Sequence, residues 1–148
     1  MVVIKQLSIF VENKPGRMAR VAKILSDASV NIRALTIAEA GDFGVIRMIV
    51  DDPVKGYKVL NNEGFTVSET DVLAIVMKDQ PGGLYEIVDT LGKHNVNIDY
   101  AYAFVTEKSK RAMLIMRVGE RVGDIDKATN VLKDADVKLA TKDDLEMV

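Results

Sequence analysis

The chain has 148 residues, 48% of them hydrophobic and only 5% aromatic, with 20 Lys plus Arg against 22 Asp plus Glu. A formal net charge of -2, scattered rather than blocked, gives no electrostatic case for binding nucleic acid or an anionic membrane. With no cysteine and His94 as the one histidine, disulfides are excluded and a protein-only zinc site is disfavoured.

Residues 3–11 suit a strand with Leu7, Ile9 and Val11 on one face and Gln6, Ser8 and Phe10 on the other. The stretch Glu12-Asn13-Lys14-Pro15-Gly16-Arg17-Met18 then turns into a helix whose apolar face carries Met18, Val21, Ala22 and Leu25. Asn31 to Glu39 reads as a second strand, Gly41 to Gly44 as a turn, and Val45 to Val50 as a third strand, which makes a hairpin. Asp52 before Pro53 is a helix N-cap with proline at the first helical position. That helix runs through Tyr57 and Leu60 to a stop at Gly64, and Phe65 to Thr70 closes a βαββαβ unit.

The same order then returns. Lys78-Asp79-Gln80-Pro81-Gly82-Gly83-Leu84 repeats the turn sixty-six positions after Glu12, and Val96-Asn97-Ile98 repeats Val30-Asn31-Ile32. Val72 to Met77 is the first strand of the second copy, and Gly83 to His94 is its helix, with His94 as a favourable charge for the helix dipole. Asn97 to Val105 follows as a strand, with Tyr100, Tyr102 and Phe104 on the face of Ile98. A hairpin at Glu107 to Lys110, a strand at Arg111 to Val118, a helix from Gly123-Asp124 and a last strand at Asp136 to Ala140 complete it. The tail, Thr141 to Val148, is short and charged and is expected to fray.

Two α+β modules of ferredoxin-like order therefore divide the chain at 1–70 and 71–148. Only Thr70-Asp71 lies between the fourth and fifth strands, which predicts two modules side by side in one eight-stranded antiparallel sheet with four helices on one face. The third strands are apolar on both sides, more than two helices per module can cover. The sister module or another chain must pack there, and both can hold; the second predicts self-association, most simply as a homodimer.

Each Pro-Gly turn opens a helix whose first N–H groups suit a carboxylate. Backbone at Gly16-Arg17 or Gly82-Gly83 would receive it, while the amide oxygens of Asn13, Asn31 or Asn97, or the carboxylate of Asp79, suit an ammonium. The plain alternative is that these are only turns, with Asn31 and Asn97 finishing helix-to-strand connections in left-handed conformations.

The run Val-Glu-Asn-Lys-Pro-Gly-Arg-Met with Val-Asn-Ile beyond it, present twice, resembles the ACT domain, a small-molecule regulatory module. The resemblance spans nearly the whole chain and implies a free-standing tandem ACT protein that binds an amino acid or similar effector near the first strand-to-helix loops, at interfaces between paired domains. The residues it points to are Asn13, Pro15, Gly16, Arg17, Met18, Asn31 and Ile32, with Asp79, Pro81, Gly82, Gly83, Leu84, Asn97 and Ile98 in the second copy. Against the serine-binding pattern of bacterial phosphoglycerate dehydrogenase regulatory domains, Asn13, Asn31 and Asn97 match. Val11 and Met77 stand where that pattern has histidine, and Asp79 replaces an asparagine, so ligand identity does not transfer.

No nucleophile elbow, phosphate loop or metal-ligand cluster occurs, so the expectation is a regulatory protein without catalysis, cofactor or metal. Its partners would be a small effector, a second copy of itself, and a metabolic enzyme or regulator. RNA binding would need aromatics on the central strands, and neither Val45–Val50 nor Ala112–Val118 contains one. A ligand-free interaction module is the alternative. No apolar run approaches the ~18 residues of a membrane span, and Met1 to Gln6 has no long apolar core of a signal peptide, so a cytoplasmic protein without membrane contact is expected.

Overall fold

The strand-turn-helix unit forms twice in the computed structural model, which describes residues 3–105, 111–119, 121 and 123–146. In the first copy β1 (Ile4–Glu12), α1 (Arg17–Asp27), β2 (Ile32–Ala40), β3 (Phe43–Val50) and α2 (Pro53–Asn62) follow in the order that the sequence predicts. Asp52 caps α2 as expected, its carboxylate accepting from the Lys55 N–H at 3.1 Å with Pro53 at the first helical position. Gly64, at φ 88°, ends it.

The expected fourth and fifth strands are one. β4 (Thr66–Lys78) runs for 13 residues, because Thr70-Asp71 contains neither glycine nor proline and nothing there breaks an extended chain. The second copy continues with α3 (Gly83–Lys93), β5 (Ile98–Val105), β6 (Arg111–Val118) and α4 (Asp124–Asp134). Its expected last strand is reduced to an isolated bridge between Leu139 and Ile75, flanked by Val76 N–H to Lys138 O and Ala140 N–H to Ala74 O. One merger and one reduction leave six strands rather than the eight of the predicted sheet. The tail carries a fifth helix, α5 (Lys142–Glu146), where fraying was expected, and Leu145 in it is buried. The hairpin expected at Glu107 to Lys110 lies outside the described residues.

The chain divides into two compact units, Lys5–Thr70 and Asp71–Val148 with Met1–Ile4, so the boundary falls inside β4. In the first, β3 stands between β1 and β2, antiparallel to both. Leu7, Ile9, Ile46 and Met48 meet Val21 and Leu25 of α1 and Leu60 of α2 in one core. In the second, β6 stands between β4 and β5, and Leu73, Ile75, Leu114 and Met116 meet Ile87 and Leu91 of α3 and Leu132 of α4. Both helices of each unit thus cover one face of its strands. On the other face Ile49 and Ile115 are buried, while Phe10 and Phe43 stay exposed.

The repeat extends to an irregularity that periodicity alone does not show. The pairing of β2 with β3 shifts between Ile32 and Ala34, and that of β5 with β6 between Ile98 and Tyr100. A bulge re-aims the residues after it. Ile98 pairs with Val118 on the core side, whereas Tyr100, Tyr102 and Phe104 pair with Arg117, Ile115 and Met113 on the opposite face. The three aromatics therefore do not share the face of Ile98.

Candidate ligand site

The two Pro-Gly loops are built alike. Gly16 and Gly82 are the N-caps of α1 and α3 at φ 88° and 87°, a left-handed conformation that side chains resist, and no side chain caps either helix. The Arg17 N–H donates to Lys14 O at 3.4 Å, and the Gly83 N–H donates to Gln80 O at 3.0 Å. Of the amides picked out for a carboxylate, these two are therefore already engaged in the turn. The next ones, Met18 and Ala19 or Leu84 and Tyr85, are those for which helix geometry provides no partner. Gly83 has a further reason to be glycine, since a Cβ there would strike the Lys78 carbonyl oxygen.

Asn13 is held at the β2–β3 hairpin. Its N–H donates to Asp42 O at 2.8 Å and its side-chain Nδ2 donates to Gly41 O at 3.0 Å, bonds that leave the acceptor capacity of the amide oxygen unused. Asn31 sits at the opposite end of the same strands, its N–H donating to Asp51 Oδ1 at 2.9 Å and its carbonyl accepting from the Asp51 N–H. The span of β3 separates the two ends by roughly 24 Å. One unit does not bring Asn13 and Asn31 together. In the other unit Asp79 lies beside the end of β4, while Asn97 lies at the far end, its carbonyl accepting from the Gly119 N–H and its Nδ2 donating to Asp99 Oδ1. Neither Asn31 nor Asn97 is the left-handed residue that ends its helix; Ser29 and Asn95, both at φ 58°, fill that place. His94 behaves as a helix-end residue, its Nδ1 donating to Thr90 O at 2.8 Å.

Beside each loop the structure opens a cleft that sequence reasoning missed. In the first unit it measures about 330 Å³ and is lined by the end of β1, the start of α1 and Gly64 to Thr66. Its charges are spent on one another: Glu12 pairs with Lys14 and Arg17 at 3.0 and 3.2 Å, and Arg20 pairs with Glu63 at 2.9 Å. The Lys14 hydrogen bond, followed by the charges of Lys14 and Arg17, holds the Glu12 carboxyl below the usual carboxylate range. The cleft of the second unit measures about 470 Å³, between the end of β4, the start of α3 and Ala135 to Lys138. Among the described residues no group of three or more His, Cys, Asp or Glu could hold a metal ion, and no helix is long and apolar enough to cross a membrane.

Two βαββαβ units in tandem, each opening its first helix through a left-handed glycine, define a pair of ferredoxin-like modules. The chain belongs to the ACT domain family: residues 2–148 match the family model described as an ACT domain pair. The solved structure of protein BT0572 from Bacteroides thetaiotaomicron is 39% identical, covers 99% of this chain and 98% of its own, and superposes with a TM-score of 0.90. The ligand-free regulatory subunit of aspartate kinase from Thermus thermophilus shares the fold at 14% identity, with a TM-score of 0.65 over 90% of this chain and 93% of that one. The corresponding subunit from Thermus flavus does so at 12% identity and a TM-score of 0.60 over 91% and 94%. No curated protein matches the chain.

Proposed function

We propose that residues 1–70 and 71–148 form two ACT modules of a regulatory protein that binds an amino acid and passes its binding state to a metabolic enzyme or regulator, without catalysing a reaction itself. The observation that carries this reading is the duplicated Pro-Gly loop, with a left-handed glycine and no side-chain cap at either helix start, in a member of the ACT family. The fold shared with aspartate kinase regulatory subunits supports a regulatory role.

The ligand carboxylate lies against the first-turn amides of α1 or α3, and its ammonium against the Asn13 amide oxygen or the Asp79 carboxylate. Asn13 and Asn31 occupy opposite ends of one unit, so a Pro-Gly loop and its own unit's Asn31-Ile32 or Asn97-Ile98 do not form one site; in a homodimer a second copy of the chain would supply that contribution. Ligand binding and dimerisation are then linked, and each strengthens the other.

Thermal shift of the purified chain against the free amino acids tests the reading. A ligand at a hundred times its dissociation constant adds about 2.7 kcal/mol of stability. Stabilisation by none of them would favour the second reading, a ligand-free interaction module, which the exposure of Leu84 and Tyr85 on the first turn of α3 supports.

A further inference from the structure

Lys78 and Arg111 are paired directly across β4 and β6. Side chains at such positions stand about 5 Å apart at their Cβ atoms, and like charges there repel. Lys138 lies on the same face, level with Val76 rather than with Lys78. Leu139 bridges Ile75 on the core side, so its neighbour Lys138, whose carbonyl accepts from the Val76 N–H, lies on the face of Val76 and Lys78. All three cations line the 470 Å³ cleft, together with the carboxylates of Glu86 and Asp136. Among the described residues, neither Lys78 nor Arg111 forms an ion pair, and Lys138 only lends its charge at longer range to Asp144.

The first unit shows what the same places look like when no charge needs an outside partner. Its register sets Glu12 against Phe43 where the second unit sets Lys78 against Arg111. Thr66 follows Phe65 there as Lys138 follows Val137, since the N–H groups of Phe65 and Val137 each return to the carbonyl of an equivalent leucine, Leu60 and Leu132. Arg20 and Glu63 then close on each other. In the second unit Glu86 replaces the arginine and Ala135 the glutamate, so this internal pair is lost while two adjacent cations are gained.

We propose that the cleft at the end of β4 binds a small oxyanion carrying two or more negative charges, seated between Lys78 and Arg111 with Lys138 at its rim. A divalent anion cancels the cross-strand repulsion, and the Arg111 guanidinium offers the paired donors that phosphoryl and carboxylate oxygens accept. The site lies beside the second Pro-Gly loop but rests on Lys78 and Arg111 rather than on Asp79 or the α3 amides, so its failure and that of the amino-acid reading are told apart by Lys78→Gln and Asp79→Ala.

Isothermal titration of the full chain with pyrophosphate and, separately, with citrate at low salt tests it. The expected result is saturable binding, one anion per chain, that weakens with added salt. Lys78→Gln and Arg111→Gln should each weaken it by about tenfold or more, and Lys23→Gln should not. Saturation by pyrophosphate alone assigns a phosphoryl ligand and by citrate alone a polycarboxylate; both support the site. Saturation by neither, or equal affinity in Lys78→Gln and the parent, overturns it. Both substituted side chains are exposed, so the variants should melt no lower than the parent, and Lys78→Arg should restore binding.

Discussion

Thr141 and Asp144 cap each other at the start of α5. The Thr141 N–H donates to Asp144 Oδ2 at 2.8 Å, and the Asp144 N–H donates to Thr141 Oγ1 at 3.2 Å, a reciprocal capping box. The backbone bond from Thr141, then its side chain, hold the Asp144 carboxyl below the usual range. A carboxyl whose folded value is depressed contributes stability above its unfolded value and loses it as pH falls through the folded one. Protection of the Leu145 amide from hydrogen exchange should therefore decline as pH drops through the ordinary aspartate value near 3.9 and below. Asp144→Asn should remove that pH dependence. Equal decline in both proteins would assign it to other groups.

That helix also shows where the sequence was legible and where it was not. The box Thr141-Lys142-Asp143-Asp144 is present in the chain, but a five-residue helix has no apolar period to announce it, so the tail reads as a charged end. The duplicated Pro-Gly turns and the Asp52 cap were readable because each is a local device carried by adjacent residues. The merging of two strands into β4 was not, since the absence of a breaker at Thr70-Asp71 does not by itself predict continuity. The face of Tyr100 is set by a bulge, for which a strict period of two has no place. The second-unit cleft joins Lys78, Arg111 and Lys138 from three separate segments, and only the β4–β6 register brings them side by side.

Glycines of α3 should respond in opposite directions. At Gly83 a Cβ would strike the Lys78 carbonyl oxygen, a backbone atom that cannot rotate away, so Gly83→Ala should cost about 1–3 kcal/mol as the loop shifts. At Gly92 a Cβ meets nothing within 4 Å and the backbone is helical, so Gly92→Ala should add about 0.5–1 kcal/mol. Urea denaturation of the two variants measures both, and destabilisation by Gly92→Ala would show that the helix end needs the freedom glycine supplies.

Leu25 and Leu91 are equivalent by the repeat, and each is fully buried in its own core. Leu25→Ala and Leu91→Ala should each cost about 2–5 kcal/mol, for lost burial plus the cavity left behind. Because the two clusters share no residue, the effects should add within about 0.5 kcal/mol in the double variant. A large departure from additivity, measured by chemical denaturation, would mean that the two cores respond as one.

Asn13 and Asp79 hold equivalent places but different bonds, and this separates a structural role from a binding one. The Asn13 side chain donates to Gly41 O at the hairpin, so Asn13→Ala should cost about 0.5–1.5 kcal/mol of stability even without ligand. Asp79 has no such bond among the described residues, and Asp79→Ala should leave the melting temperature of the free protein nearly unchanged. With an amino acid identified by thermal shift, each substitution removes an acceptor for its ammonium and should weaken binding by about 1–3 kcal/mol where the group left behind is buried. Asn13→Asp restores an acceptor and adds a charge, so it should retain binding while losing part of the hairpin bond. Titration calorimetry with the three variants reads the affinities directly. If Asn13→Ala and Asp79→Ala both bind the amino acid as tightly as the parent, the ligand lies away from the Pro-Gly loops, whatever the family of the fold.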